Sequence, residues 1–155
     1  MLRVVRALAF SAVAIVTGGC SSSLTEAKPL AGSVPVDVTL HRTIGVSGAS
    51  PLGLPRVRFR PTSHGIVVQY DLLSGPCMLE SIRAERAGHV VAIWIVRGGD
   101  PGALCAPAIL HYEYIATATG LPLDTYEVRL IDQLGDGPGY EIGHASVTVS
   151  SAPNE

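Results

Sequence analysis

The most persistent pattern in this sequence is an alternation of apolar and polar residues with a period of two. Between residues 34 and 41, valine or leucine occupies every second position. Runs of the same kind recur at residues 57–60, 66–72, 80–86, 109–118, 125–131 and 145–149. Because successive side chains of a strand point to opposite faces, this period indicates strands that bury one face. No segment after residue 35 keeps a helical period, so we predict an all-β chain.

One run departs from the alternation. Residues 90–96 are apolar on both faces and rich in β-branched residues, which is typical of a strand buried on both sides. We therefore predict that it is the central strand and that Trp94 belongs to the structural core. We expect Trp94 to pack between the layers of the predicted fold, near the disulfide that is predicted below. By contrast, residues 80–86 are mostly polar on one face, which predicts a strand at the edge of a sheet.

The number of short strands and the abundance of turn residues predict a single β-sandwich. The chain contains 17 glycines and 11 prolines, which suit tight turns between strands. The segment Gly120-Leu121-Pro122-Leu123-Asp124-Thr125-Tyr126-Glu127-Val128 resembles the Gly-Leu-Pro-x-Gly-x-Tyr-x-Val segment of immunoglobulin-like and transthyretin-like bacterial domains. The resemblance implies an immunoglobulin-like sandwich of about seven to eight strands over residues 36–150. It also implies that Tyr126 packs at a corner of the sandwich, with its hydroxyl bonded to nearby backbone. Asp124 stands where these domains have glycine.

The N-terminus has the parts of a secretory signal peptide. Arg3 and Arg6 are followed by an almost wholly apolar run at residues 7–16 and then by small residues. The apolar run is shorter than the roughly 20 residues of a transmembrane helix. Gly18-Gly19-Cys20 resembles the lipobox of bacterial lipoproteins, which implies a signal peptide at residues 1–19 and a diacylglycerol on Cys20. The alternative is an ordinary signal peptide that leaves Cys20 as a free thiol.

The same resemblance indicates where the protein resides. It implies export to the bacterial cell envelope and a membrane contact through the lipid on Cys20. Ser21, with no aspartate beside the cysteine, resembles the pattern that directs such proteins to the outer membrane, facing the periplasm, in diderm bacteria. Residues 20–35 contain three consecutive serines and two prolines and are predicted to form a flexible tether. Residues 151–155 are predicted to form a disordered tail.

The three cysteines can be assigned on this basis. If Cys20 carries lipid, Cys77 and Cys105 remain as an even pair in an oxidising compartment, which predicts a disulfide. The bridge would close a loop of about 28 residues and stabilise the fold by about 3–4 kcal/mol in the chain-entropy model. Two buried free thiols are the competing interpretation. A metal site is disfavoured because neither cysteine has a second cysteine or a histidine pair at ligand spacing.

Composition and motifs exclude several classes of function. Only 15 % of residues are charged and the net charge is −2, which provides no electrostatic footprint for nucleic acid. The chain has no nucleophile elbow, phosphate-binding loop or dinucleotide fingerprint, so no catalytic residue and no cofactor are predicted. The five histidines are scattered, and no metal site is predicted. The loop from Asp132 to Glu141 could offer oxygen ligands to Ca²⁺, but its spacing matches no EF-hand and a plain hairpin is favoured.

Two function classes remain. The favoured one is a non-catalytic binding or structural module of the envelope, anchored by lipid, with an envelope protein of unknown identity as its candidate partner. The alternative is a secreted hydrolase or ligand-binding enzyme whose site is assembled only in three dimensions, for example around His111, His144 and a carboxylate. The first is favoured because a site for catalysis usually collects several titratable groups, and this chain has few to offer.

Overall fold

The computed structural model describes residues 26–44, 56–99 and 110–151. Strands make up 77 % of these residues and none is helical, which confirms the all-β prediction. In the same ranges no helix has the length and hydropathy of a membrane span. The predicted signal peptide, the predicted lipidation site Cys20, the residue Cys105 and the tail from residue 152 lie outside the described residues.

Nine strands within the described residues form one mixed sheet that curls into a half-barrel. Their order in the sheet is β1-β9-β8-β6-β5-β2-β7-β4-β3. All neighbours are antiparallel except β6 and β8, which run parallel. The strands are β1 (Glu26–Ala27), β2 (Val34–Ile44), β3 (Val57–Thr62), β4 (Gly65–Ser74), β5 (Met78–Ala87), β6 (Val90–Gly99), β7 (Leu110–Thr119), β8 (Asp124–Leu134) and β9 (Gly139–Val149).

Strand β2 makes the sheet continuous. Its first three residues pair with β5, and the residues from Asp37 onward pair with β7. The two ends of the sheet come close together where β3 meets β9. A Cβ atom on Gly143 would lie 3.0 Å from Cβ of Val57, so glycine allows these two strands to approach. The curl encloses a single main core on the inner face.

The alternation seen in the sequence determines which residues line that core. Inward-facing residues of six strands, β4 to β9, are almost fully buried, and partly buried residues of β2 and β3 pack against them. The largest buried inner side chains are Tyr70, Tyr114, Tyr126, Ile66, Ile93, Ile95 and Leu130. Burying an aliphatic side chain of this size contributes about 1.5–3 kcal/mol, so this face accounts for most of the hydrophobic stabilisation.

The strand at residues 90–96 lies inside the sheet, and the strand at residues 80–86 was wrongly predicted to be an edge. Strand β6 pairs with β5 and β8, and its residues from Val91 to Ile95 are at most 2 % exposed. Strand β5 also has a neighbour on each side, β6 and β2. Its polar residues are tolerated at this interior position because Glu80 and Glu85 both accept hydrogen bonds from other elements.

Trp94 is buried, but it lies outside the main core. It is 2 % exposed and packs with Ala92 and Ile131 in a small cluster on the outer face of the sheet. Ala27 and Leu30 cover this cluster. A Cβ atom on Gly139 would lie 2.4 Å from the Trp94 ring, so the absence of a side chain at Gly139 makes room for the indole.

The segment that covers Trp94 belongs to the predicted tether. We call residues 26–33 the N-terminal strap. Glu26 and Ala27 pair with β9. The backbone N–H of Leu30 and the hydroxyl of Ser33 donate hydrogen bonds to Glu85, at 3.1 and 2.8 Å. The described part of the predicted tether is therefore attached to the sheet. Trp94 is packed between the sheet and the strap.

Candidate functional site

One end of the half-barrel collects polar residues on the inner face of the sheet. At this end β2 and β6 finish and β4 turns into β5; we call it the loop end. The opposite end, where β5 turns into β6 and β7 into β8, is the turn end. The polar residues come from six different strands and form a layer above the apolar core, which we call the polar layer. Its members are Arg42, Tyr70, Ser74, Glu80, Arg97, Tyr114 and Asp132.

Glu80 connects three strands of the polar layer. One of its carboxylate oxygens accepts a hydrogen bond from Arg42 at 2.6 Å, and the other accepts one from the Tyr114 hydroxyl at 2.7 Å. The Glu80 side chain is only 6 % exposed, so it depends on these donors for its solvation. Arg42 also donates to the carbonyl of Met78 at 3.2 Å and lies 4.8 Å above the ring of Tyr112.

A second ion pair joins β6 to β8. The Arg97 guanidinium donates two hydrogen bonds to Asp132, at 2.7 and 2.5 Å, in the two-pronged geometry that makes such pairs strong. The hydrogen bond to Asp132 raises the pKa of Arg97, so this group stays charged. Both carboxylate oxygens of Asp132 therefore accept hydrogen bonds from Arg97 of β6. In the described parts of the chain no group of three or more histidine, cysteine or acidic residues could hold a metal ion.

Two stacked tyrosines form the centre of the polar layer. The rings of Tyr70 and Tyr114 lie 4.9 Å apart and within 8° of parallel. Burial raises the pKa of Tyr70 far above its usual range, and the neighbouring Tyr114, Asp132 and Glu80 add to the effect. Burial and then the hydrogen bond to Glu80 raise the pKa of Tyr114. Both phenols therefore stay neutral at physiological pH, and neither acts as a base.

The Tyr70 hydroxyl distinguishes the two tyrosines. It is fully buried and has no hydrogen-bond partner among the residues that the structure describes. A buried hydroxyl without a partner costs about 1–3 kcal/mol, so such groups are uncommon and call for an explanation. The Ser74 hydroxyl interacts with that of Tyr114 and lowers its pKa, an effect smaller than those of burial and Glu80.

Exposed apolar side chains lie at the same end of the sheet as the polar layer. Seven large apolar side chains are exposed in the described ranges, and five of them lie at the loop end. We call these five residues the rim. They are Ile44, Leu73, Leu79, Leu134 and Tyr140. Exposed apolar groups gathered in one region indicate a surface that contacts a partner.

The histidines do not join the polar layer. His111 lies between Tyr112 and Leu110 in β7, so alternation directs it to the other face of the sheet from Tyr112. His111 and His144 do not meet, because β7 lies between β2 and β4 while β9 lies between β1 and β8. His144 instead contacts Glu141 at 2.8 Å. The alternative of an enzyme site around His111 and His144 gains no support from the positions of these two residues.

The residues named from the sequence lie in different places. Tyr126 is 1 % exposed near the start of β8, at the turn end, and its hydroxyl donates to the carbonyl of Pro122 at 3.0 Å. Trp94 lies under the N-terminal strap, where its indole N–H donates to Glu85 at 3.1 Å. Cys77 lies in the turn between β4 and β5 at the loop end. Its predicted partner Cys105 lies outside the described residues, so the disulfide stays a prediction.

Sequence reasoning did not find the polar layer, although a signal was present. In a strand with one buried face, a charged or hydroxyl-bearing residue can occupy a position in phase with the apolar ones. Arg42 continues the inward phase of Leu40, and Arg97 continues that of Ile95. A polar residue at the inward phase near a strand end therefore indicates a polar layer inside a curled sheet.

The chemistry open to this site follows from its charges and protons. Its two arginines are paired with its two carboxylates, and its two phenols are neutral. Such groups can hold hydrogen bonds and fix the strand ends, but the described residues provide no nucleophile activated by a base. The chain matches no known protein family, no curated protein and no solved structure.

Proposed function

We propose that this chain is a lipid-anchored bacterial envelope protein whose β domain is a non-catalytic contact module. The observation that carries this proposal is the composition of the loop end. Apolar side chains are exposed around a polar layer whose charges are already neutralised within the chain. A surface of this kind gains free energy when its apolar groups are removed from water.

The polar layer supports a contact role over a catalytic one. General acid–base catalysis needs a group whose pKa lies near the working pH. The pKa values of Tyr70 and Tyr114 are raised well away from neutrality, and Arg97 stays charged. We infer that these residues hold six strand ends in place beneath the rim.

The anchor and the finer features of the fold belong to the same proposal. We propose that the signal peptide ends at Gly19, that Cys20 carries the lipid, and that the protein faces the periplasm from the outer membrane in diderm bacteria. We also propose a disulfide between Cys77 and Cys105. The two halves of the curled sheet, which share β2, would pack over the main core as the layers of an immunoglobulin-like sandwich do.

A pair of photo-cross-linking variants tests the contact module. A benzophenone amino acid replaces Leu134 in the rim or, as a control, Leu123 at the turn end; these residues are 61 % and 59 % exposed. Illumination of the anchored protein in its native envelope should give adducts from position 134 and few from position 123. Equal yields from the two positions would contradict the assignment of the loop end as the contact surface.

A further inference from the structure

We infer that the outer face of β3 rests on an anionic membrane surface, where three arginines contact lipid phosphates. We call these residues the arginine stripe; they are Arg56, Arg58 and Arg60. The inference rests on the lipid proposed at Cys20 and deepens that proposal, because it states which face of the domain the bilayer contacts. Three features carry it: the free charge of the stripe, its neighbours, and the side from which the chain enters the fold.

The basic residues of the described chain fall into two groups. Nine described residues are lysine or arginine, and five of them have partners within the chain. Three form ion pairs with carboxylates, one lies over the ring of Trp94, and one donates to a backbone carbonyl. The side chains of the other four have no hydrogen bond, ion pair or ring contact with any described residue. These four are Lys28, Arg56, Arg58 and Arg60.

The arginine stripe is a straight row of charge on the surface. Arg58 and Arg60 alternate with Val57 and Phe59, which pack against the main core, so the arginines point to the outer face. All three members of the stripe are exposed. Alternate residues of a strand are about 6.6 Å apart, so the row extends over about 13 Å. It can therefore contact more than one lipid headgroup at once.

The neighbours of the stripe on β4 leave most of its charge uncompensated. The residues opposite its last two arginines are Gln69 and Val67. Asp71 is opposite Arg56, whose carbonyl accepts a hydrogen bond from the Asp71 N–H at 3.2 Å. Glu113, on the next strand, accepts a hydrogen bond from Gln69. Three positive charges thus face one adjacent carboxylate, although the whole chain has a net charge of −2.

Strand β9 lies on the other side of β3. Gly143 approaches Val57, and the pairings around the sheet make β9 run in the same direction as β3. Glu141 is the acidic residue of β9, and it contacts His144 at 2.8 Å. The exposed residues that follow Gly143 on β9 are His144, Ser146 and Thr148. This side therefore adds polar groups to the surface without an unpaired carboxylate among the described residues.

The chain enters the fold beside the stripe. Glu26 is paired with Tyr140 on the edge of β9 that β3 also approaches. Because this pairing is antiparallel, the chain arrives at Glu26 from the side of Gly143, about 10 Å along the strand from Tyr140. Cys20 is six residues before Glu26, a span of at most about 20 Å. A lipid on Cys20 would thus hold the bilayer close to the arginine stripe.

Charge distinguishes this face from the others within reach of that segment. Glu26 and Lys28 add no net charge at the entry point, whereas the stripe is a local excess of cations. Arginine binds phosphate through a planar fork of donors, and basic residues beside anionic lipid strengthen membrane contact. One lipid chain together with basic residues holds a protein more firmly than either does alone. An acidic protein would also match the stripe, but a bilayer is what the lipid on Cys20 brings to this place.

Vesicle binding by a chain without lipid tests the stripe on its own. The mature chain with Cys20→Ser is sedimented with vesicles of phosphatidylcholine, or of phosphatidylcholine and phosphatidylglycerol in equal parts. We expect binding to the anionic vesicles alone, and loss of that binding at high salt, which screens exposed charges. Arg58→Gln combined with Arg60→Gln should lower the partition coefficient by about ten- to thirtyfold. Arg83→Gln combined with Arg129→Gln removes as much charge from exposed positions of β5 and β8 and should lower it far less.

Fluorescence quenching by brominated lipid tests the orientation of the anchored protein. Mature lipidated protein with Ser146→Trp, beside the stripe, is compared with Thr39→Trp on the outer face of β2. Both positions are exposed, and the native Trp94 gives the same buried background in the two variants. In anionic vesicles whose acyl chains carry bromine, we expect strong quenching of the new tryptophan at position 146 and little at position 39.

The contradicting outcomes can be told apart. Equal binding to both kinds of vesicle, or equal binding by the two double variants when both unfold like the parent chain in urea, would overturn the role of the stripe whatever Cys20 carries. Tighter binding of the stripe to polyglutamate than to anionic vesicles would indicate a protein partner and overturn the inference as well. Equal quenching at positions 146 and 39, in protein shown by its mass to carry lipid, would overturn the orientation and leave the anchor intact. A chain without lipid on Cys20 would overturn the anchor and the orientation together.

Discussion

Tyr70 and Tyr114 lie side by side in the polar layer, but the surroundings of their hydroxyl groups differ. The Tyr114 hydroxyl donates to Glu80 at 2.7 Å, whereas the Tyr70 hydroxyl is buried without a partner among the described residues. Removing a bonded hydroxyl loses a hydrogen bond to a buried charge, while removing an unbonded one relieves a desolvation cost. Two chemically identical changes therefore have opposite expected effects on stability.

We predict that Tyr114→Phe lowers the free energy of unfolding by about 1.5–3 kcal/mol, because Glu80 loses a charge-assisted hydrogen bond. Tyr70→Phe should leave the free energy of unfolding unchanged or raise it by about 1 kcal/mol. Urea unfolding of the two variants and the wild type, followed by the fluorescence of the single tryptophan, measures both changes. Comparable destabilisation by the two substitutions would contradict the difference in hydrogen bonding.

At the scale of elements, the N-terminal strap is the feature that ties the described N-terminal part of the chain to the sheet. Three donors, two from the strap and one from β6, converge on Glu85: the Leu30 N–H, the Ser33 hydroxyl and the Trp94 indole. Burial alone would raise the pKa of Glu85, but the hydrogen bonds together outweigh it and lower the pKa below the ordinary value of 4.5. The ionised carboxylate is therefore the form that holds the strap.

This arrangement predicts a pH dependence of stability on the acid side. A carboxyl whose pKa is lowered by folding stabilises the protein fully above its unfolded pKa, 4.5, and loses that effect as the pH falls through the folded pKa. Glu85→Gln should be less stable than the wild type by about 1 kcal/mol or less at pH 6–7, since Glu85 is only partly buried. Unfolding curves of both proteins from pH 7 to pH 3 measure the difference, which should shrink below pH 4.5. A difference that is independent of pH would contradict the role of the charge.

Some elements could be predicted from the sequence, and particular residues show why others could not. Residues 90–96 predict an interior strand because both faces of this segment are apolar. The polar residues of β5 indicate an edge strand because the partners of Glu80 and Glu85, on β2, β7 and the strap, are distant in sequence and leave no local pattern. Strand β1 has only two residues, and its pairing with β9 depends on a sequence separation of more than a hundred residues, so no local pattern reveals it.

At the scale of the whole molecule, the period-two pattern determines which residues face inward but not how the strands are ordered. Alternation is the same in a flat sheet, a sandwich and a half-barrel. The strand order depends on contacts between distant parts of the chain. These are the parallel pairing of β6 with β8, the pairing of β2 with both β5 and β7, and the close approach of Gly143 to Val57. The polar layer could not be predicted for the same reason. Its residues come from six strands, and their contacts join distant parts of the chain.

The central claim is that the domain is held on a membrane by lipid at Cys20, and the mass of the mature N-terminus tests it most directly. The protein is extracted from its native membrane and its N-terminal peptide is analysed by mass spectrometry. The account predicts a chain that begins at residue 20 and carries acyl groups on that cysteine. A free thiol at Cys20, or a mature chain that begins at another residue, would contradict it.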